Sequence, residues 1–388
     1  MANPSLPNAA VPGRMSAPRS AERKVQELLS RAGLTVNGPN PYDPQVLDER
    51  LYARVLGGGA LAMGESYMDR WWDCERLDEL AFRATSARLN KKFGVDLETA
   101  LYVAGSRLLN LQTRTRARQV AERHYDLDND LYMSFLDPYN QYTCGYFKDT
   151  DDLNVAQERK LDLICRKIGV SPGDRILDIG CGWGGFAKFA AERYGAHVTG
   201  VSISDEQIAY AREFTKGLPV AIEKMDYRSL SGSFDKVVVV GMIEHVGYKN
   251  YRTLMETVHR VLKDGGLFIL HTIGSNTSTT RTDPWTHKYI FPNGMAPSAR
   301  QLASAVEGLF VMEDWHNFGA YYDKTLLAWM KNFDAAWPRL KDKYDTRFYR
   351  MWKYYLLASA GAFRARKNQL WQIVLSKGGV PGGYRSVR

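Results

Sequence analysis

ILDIGCGWGGFAKFAAERYG, residues 176–195, carries an apolar run, a glycine-rich turn and a helix-forming tail in that order. Gly180, Gly182 and Gly185 satisfy G-x-G-x-x-G, a spacing that turns a strand tightly into a helix with the backbone held against a nucleotide. The spacing does not say which nucleotide. Dinucleotide redox cofactors and S-adenosylmethionine both sit on such turns, and they imply unrelated chemistries.

Outward from this turn, the chain from Asp174 alternates short apolar runs with amphipathic helices. RILDIG leads into a helix from Gly184, HVTGVSI into one from Asp205, then come VAIEKMD, DKVVVVGMI, a helix from Tyr251, and LFILHTI. Continuous Val and Ile runs between helices predict a parallel sheet covered on both faces, a doubly wound Rossmann-like α/β fold. The C-terminal third reads as mostly helical and aromatic, with LWQIVLS as a candidate last strand.

Three features bear on the nucleotide. A dinucleotide fold places an acid about 20 residues beyond the first glycine, for the ribose; here the second strand ends in Ser202, followed by Asp205, Glu206 and Gln207, so that fingerprint is incomplete. Asp178 directly precedes the turn, where it would repel a pyrophosphate but attract an ammonium or sulfonium. Asp226 and Tyr227, after the third strand, supply an acceptor for an adenine amino group and a ring to cover the purine. S-adenosylmethionine fits better than NAD.

The whole chain has 388 residues, 45% of them apolar, enough for one large domain and a smaller one. The pattern from Lys24 to about Leu111 is mostly helical, interrupted by NGPNPYDPQ and by the glycine-rich piece VLGGGALAMGESYMDRWWDC. The expected organisation is a flexible tail over 1–22, an N-terminal lipid-interface domain over 23–112, a linker over 113–120 and a catalytic methyltransferase domain over 121–388. No apolar run reaches membrane-spanning length and no secretory h-region opens the chain, which points to a cytoplasmic location. Cys74, Cys144, Cys165 and Cys181 are scattered without metal or disulfide spacing, so reduced thiols and no metal are expected. The formal charge of +9 is concentrated in TRTRARQ and FRARKNQ. These runs suit anionic lipid headgroups; they are short and lack a recognition motif, which argues against nucleic acid.

The motifs LDIGCGWGG, GMIEHVG, LHTIGS, KYIFPNG, EDWHNFGAYYD and GAFRAR, with HYDLDNDLY and YTCGYFKD upstream, closely resemble the bacterial cyclopropane-fatty-acyl-phospholipid synthases. Mycolic acid cyclopropane synthases share the catalytic portion, and GESYMDRWWDC is similar to the phospholipid enzymes specifically. The resemblance implies methyl transfer from S-adenosylmethionine to a cis double bond of a phospholipid acyl chain. It also implies a bound bicarbonate that removes the proton as the ring closes; the basic runs and the apolar N-terminal segment point to a peripheral membrane association, and a homodimer is expected.

Residue by residue, the resemblance places the bicarbonate among Cys144, Glu244, His271, Ile273 and Tyr322, with backbone amides contributed by the cysteine and the isoleucine. It places the cofactor among Tyr125, Tyr142, Thr143, Asp178, Gly180, Gly182, Ser202, Gln207, Asp226 and Tyr227. Thr143 stands where serine is frequent, which keeps the hydroxyl, and Ser359 where some members carry cysteine, so no thiol chemistry is expected there. Such chemistry needs aromatic faces to tolerate a carbocation and a pocket that excludes water; the rings of YNQYTCGYF and FGAYYDK suit it. Glu244 and His271 fall at carboxyl ends of neighbouring strands, where such sheets bind ligands. His245, if the strand persists, is expected on the opposite side from Glu244 and in a structural role, and Cys181 is expected as a packing residue. Two other readings compete: a methyltransferase of the same fold leaving methyl-branched or hydroxylated chains, and a dinucleotide oxidoreductase.

Overall fold

The computed structural model describes residues 20–89 and 129–388. The linker expected over 113–120, the basic run TRTRARQ and Tyr125 lie outside the described residues, as does nearly all of the expected tail.

The N-terminal part is built from α1 (Ser20–Ser30), β1 (Gln45–Val46), α2 (Arg50–Met68), β2 (Trp72–Asp73) and α3 (Leu77–Ser86). Val25 and Leu29, one helical turn apart, bury the inner face of α1. α2 is broken at Gly59, whose φ of 54° and ψ of −133° a residue with a Cβ would resist. The kink belongs to the run Gly57-Gly58-Gly59 and turns the two halves of α2 around one cavity wall. β1 and β2 form a small antiparallel ribbon that ends on the fully buried Trp72.

Next come α4 (Asn129–Met133), α5 (Leu153–Lys167), β3 (Arg175–Ile179), α6 (Gly185–Tyr194), β4 (His197–Ser202), α7 (Asp205–Phe214), β5 (Val220–Lys224), β6 (Phe234–Val240), α8 (Tyr251–Val261) and β7 (Leu262–Ser275). α9 (Pro284–Tyr289), α10 (Ala299–Val306), β8 (Val311–Asn317), α11 (Ala320–Leu340), α12 (Thr346–Arg364) and β9 (Asn368–Ser376) complete the chain. The seven-stranded sheet has the order β5-β4-β3-β6-β7-β9-β8. The strands from β5 to β7 are parallel, as their Val and Ile runs require.

The far edge departs from an all-parallel sheet. β9, the LWQIVLS run, inserts antiparallel between β7 and β8. It is buried along nearly its whole length because both of its neighbours and both of its faces are covered. β8, an edge strand of mixed polar sequence, VMEDWHN, has no apolar run to announce it.

After β3 the chain winds outward to β4 and β5, then returns across β3 to β6. This reversal opens a crevice at the carboxyl ends of β3 and β6, the switch point where such sheets take ligands.

The N-terminal helices do not form a separate core. Val25, Leu51, Tyr67 and Trp72 pack in the same buried cluster as Trp329 of α11 and Trp352 of α12. Arg364, at the end of α12, donates to Asp78 (2.8 Å) and Glu79 (3.1 Å) of α3 and to Asp323 (2.9 Å) of α11. Arg350 reaches Asp73 (2.9 Å) and the Trp72 carbonyl (2.8 Å). The α1–α3 region is thereby fastened over the helices that flank the crevice.

Candidate active site

The switch-point crevice is walled by the residues expected to hold the nucleotide. β3 carries Asp178 into it, buried to 2% exposure, with Oδ2 lacking any hydrogen-bond partner. Burial pushes its carboxyl up to about 7, against the pull of the Lys160 charge. A cationic ligand here would restore the ionised form, so the orphaned oxygen fits the ammonium of S-adenosylmethionine. Ser202 ends β4, and its hydroxyl lies 3.4 Å from Gln207 Oε1 at the start of α7. Asp226 accepts from the backbone (2.9 Å) and guanidinium (2.8 Å) of Arg228, and this turn holds Tyr227 over the crevice.

A strap over residues 137–143 closes the crevice from the other side. Asp137 accepts from the amides of Tyr139 and Gln141, both at 2.8 Å, and so shapes it. The strap explains the third glycine of the motif: a Cβ on Gly185 would lie 1.7 Å from the Tyr139 carbonyl oxygen.

Sequence reasoning missed what pins the strap. Lys160 of α5, fully buried, donates to Gln141 Oε1 and, at 2.9 Å, to the Thr143 hydroxyl, while Gln157 donates to the Thr143 carbonyl (2.8 Å). Burial lowers the Lys160 ammonium to about 7, and the charge of Asp137 opposes that shift. A signal was present: Leu153, Ala156, Gln157, Lys160, Leu161 and Ile164 share one helical face, and two polar residues on a buried stripe mark a built interaction.

The second half of the site lies one strand over. β6 ends at Val240, and Glu244 sits in the short 3-10 turn Ile243–His245. Its Oε1 accepts from the Ile273 amide of β7 at 2.7 Å, while Oε2 is buried without a partner. The amide given to an anion by the resemblance is thus engaged by Glu244. Burial raises the Glu244 carboxyl to about 7.

His271, level with Val240 in the β6–β7 register, is 1% exposed. Gln372 Nε2 of β9 lies 3.3 Å from its Nδ1, and Nε2 has no partner. Burial holds the ring neutral, far below its ordinary range. In the tautomer where the glutamine amide donates to Nδ1, the ring proton sits on Nε2, and His271 can then donate to an anion.

The strand ends before His245, so the alternation that would set it opposite Glu244 does not apply; both residues line one cavity, and the His245 ring meets Phe291 edge-on at 5.7 Å.

Tyr322, in the first turn of α11, stacks on Phe363 with centroids 4.4 Å apart. Tyr142 donates to the Tyr355 hydroxyl (2.9 Å) and lies against Trp329 at 5.2 Å. Cys144 is fully buried; its thiol takes a 3.8 Å contact from the Thr325 hydroxyl, and burial raises it, which makes it inert as a nucleophile. Not all the expected rings face inward. Tyr146 and Tyr321 pack with Phe318 within the main buried cluster, and Tyr139 packs on Phe189, none of them in the cavity lining.

The two halves share one cavity of about 680 Å³. It runs from the glycine turn past Glu244, His271 and Tyr322 to an apolar end lined by Val25, Leu29, Val55, Met63 and Leu80 of the N-terminal helices. Among the described residues no group of His, Cys, Asp and Glu side chains is arranged to hold a metal, and no helix is long and apolar enough to cross a membrane.

Residues 112–373 match the family model described as mycolic acid cyclopropane synthetase. The chain belongs to that family. It is 52% identical over 366 residues to the cyclopropane-fatty-acyl-phospholipid synthase of Escherichia coli K12, a match spanning 94% of this chain and 96% of the relative. Among solved structures it is similar to the cyclopropane synthase MmaA2 from Mycobacterium tuberculosis, with a TM-score of 0.63 and 25% identity, covering 69% of this chain and 100% of that one. The mycolic acid cyclopropane synthase CmaA1, solved with SAH and CTAB, gives a TM-score of 0.63 at 27% identity and covers 67% of this chain and 98% of that one. These relatives place the fold among S-adenosylmethionine-dependent methyltransferases. The match to the Escherichia coli enzyme, unlike the family model, extends over the N-terminal region.

Proposed function

We propose that this family member transfers the methyl group of S-adenosylmethionine to the cis double bond of an unsaturated phospholipid acyl chain and closes a cyclopropane ring. The observation that carries the reading is the single cavity in which a crevice for a cationic nucleotide opens onto an apolar channel, with two orphaned polar atoms, Glu244 Oε2 and His271 Nε2, between them. The cofactor supplies an electrophilic methyl group. Asp178, Ser202, Asp226 and Tyr227 hold and orient it, and the strap pinned by Lys160 brings Tyr142 and Thr143 against it.

When bound, the donor would give its methyl carbon to the electron pair of the alkene as the carbon–sulfur bond breaks, leaving positive charge on the acyl chain. The rings of Tyr142, Tyr322, Phe291 and Phe363 line this part of the cavity. Each desolvated ring contributes roughly 0.5 to 2 kcal/mol toward a cation. Ring closure then releases one proton from the added methyl group.

Bicarbonate fits as its acceptor. His271 Nε2–H would donate to it, Glu244 would accept from its hydroxyl, and Tyr322 with the backbone amides of Cys144 and Ile273 would complete its pocket. Residues 23–112 act as the lipid-interface domain, docking peripherally on the cytoplasmic face of a membrane with a preference for anionic lipid, and the protein works as a homodimer.

Incubation with S-adenosylmethionine and vesicles of a monounsaturated phospholipid tests the reading by mass spectrometry. The product gains one CH2 and loses its olefin. A product that gains the mass but remains olefinic refutes ring closure and leaves the branched-chain methyltransferase in its place.

A further inference from the structure

Beyond the reacting groups, the cavity has a polar lip built by the loop between β7 and α9, SNTSTTRTD over 275–283, and by the turn between α12 and β9. Ser275, Thr279, Arg281, Asp283, Lys367 and Asn368 line it. The loop is fastened on both sides. Asn276 donates to the carbonyls of Arg366 (2.9 Å) and Lys367 (3.3 Å), which brings the two segments together. Ser278 and Ser298 share a hydrogen bond of 2.7 Å, and Gln301 donates to the Thr279 carbonyl at 3.0 Å.

Within this rigid frame Arg281 Nη1 is withdrawn from solvent and has no hydrogen-bond partner. The nearby acid does not satisfy it: Asp283 accepts from the amides of Trp285 (3.0 Å) and Thr286 (3.3 Å). A guanidinium nitrogen buried without an acceptor is costly, and it marks a place for an anion. The planar guanidinium matches two oxygens of a phosphodiester, and the exposed Lys367, whose backbone carbonyl Asn276 holds, adds a second positive residue to the same lip.

We infer that Arg281, assisted by Lys367, forms the subsite for the phosphodiester of the lipid substrate. This rests on the phospholipid reading above and names what selects that substrate. Every glycerophospholipid carries this phosphodiester whatever its headgroup, so the subsite accepts different headgroups and discriminates against diacylglycerol.

The test uses the full chain in neutral-detergent mixed micelles, with saturating S-adenosylmethionine and either dioleoylphosphatidylcholine or dioleoylglycerol. Both lipids leave the micelle without net charge, so general surface attraction is not what is read. Arg281→Gln raises KM for the phosphatidylcholine about tenfold, the effect of losing one charge-assisted bond, while kcat changes less than twofold. It leaves both constants for dioleoylglycerol as in the unmodified protein. Lys367→Gln moves the same KM in the same direction by less, and Arg281→Lys recovers part of the loss. Lys216→Gln, which removes a distant surface charge near the end of α7, changes neither constant and controls for net charge. Tens of millimolar inorganic phosphate raises the unmodified protein's KM for phosphatidylcholine alone. Equal KM changes for both lipids in Arg281→Gln, or no change in either, overturn the proposal; inhibition by phosphate regardless of lipid assigns the site to free phosphate and overturns it as well. If the unmodified protein makes no ring from either lipid, the reaction itself is refuted, an outcome separable from loss of phosphate selectivity.

Discussion

Glu244→Gln separates the energetic price of the site from its chemistry. The glutamine keeps an acceptor for the Ile273 amide and removes the carboxylate whose Oε2 is buried without a partner. The Glu244 carboxyl is raised from its ordinary 4.5 to about 7 by burial. A folded-state value above the unfolded one means that this group's contribution to stability is fully present below pH 4.5 and is lost as the pH rises to 7. Linkage gives a cost of about 0.4 kcal/mol at pH 4.5 and about 3 kcal/mol at pH 8, with no further rise above that. The glutamine, which cannot ionise, avoids it. Calorimetric melting in bicarbonate-free buffer at both pH values is the assay. The variant melts several degrees above the unmodified protein at pH 8, and the two nearly coincide at pH 4.5. Turnover meanwhile falls by about 10² or more, the usual cost of removing a group that handles a proton in the transition state. A variant that melts no higher at pH 8 would show that the carboxylate is not held uncompensated, and unchanged turnover would remove Glu244 from the reaction.

Lys160→Met strips the donor from the Thr143 hydroxyl and the opposing charge from Asp178; calorimetry should show S-adenosylmethionine binding weakened about tenfold at pH 7, with part of the affinity returning at pH 9 as Asp178 ionises. Unchanged affinity would make Lys160 a packing residue. Gly185→Ala drives a methyl group into the Tyr139 carbonyl, 1.7 Å away, so the strap lifts and cofactor binding falls below detection while the sheet stays folded by circular dichroism; normal binding would show that the strap does not close the crevice. Vesicle sedimentation should rise with anionic lipid and fall with salt, each basic residue near the surface contributing roughly 1 kcal/mol; salt-independent binding would refute electrostatic docking.

Much of the fold was legible because its causes are local. Leu177, Val237 to Val239 and Ile269 are apolar on consecutive positions, which suits a strand covered on both faces, and the glycine turn announces the crevice by its spacing alone. β8 was not legible: as an edge strand it alternates too weakly to register, and its place beside β9 depends on a chain reversal more than fifty residues later. The side of His245 was not legible because alternation fixes it only if β6 persists, and β6 gives way to a 3-10 turn where neighbouring residues no longer point to opposite sides.

The sequence by itself determined the class of fold, since strand runs and the glycine turn rest on residue type and near spacing, and its resemblance to the cyclopropane synthases pointed to S-adenosylmethionine and to Glu244, His271 and Tyr322. Only the tertiary structure decided which polar atoms remain unsatisfied, Glu244 Oε2, His271 Nε2, Asp178 Oδ2 and Arg281 Nη1 among them. It also decided that the N-terminal helices wall the same cavity as the glycine turn. Burial and orphaned hydrogen-bonding groups arise from surfaces that meet across long sequence separation, and no local pattern encodes which groups those surfaces will leave without a partner.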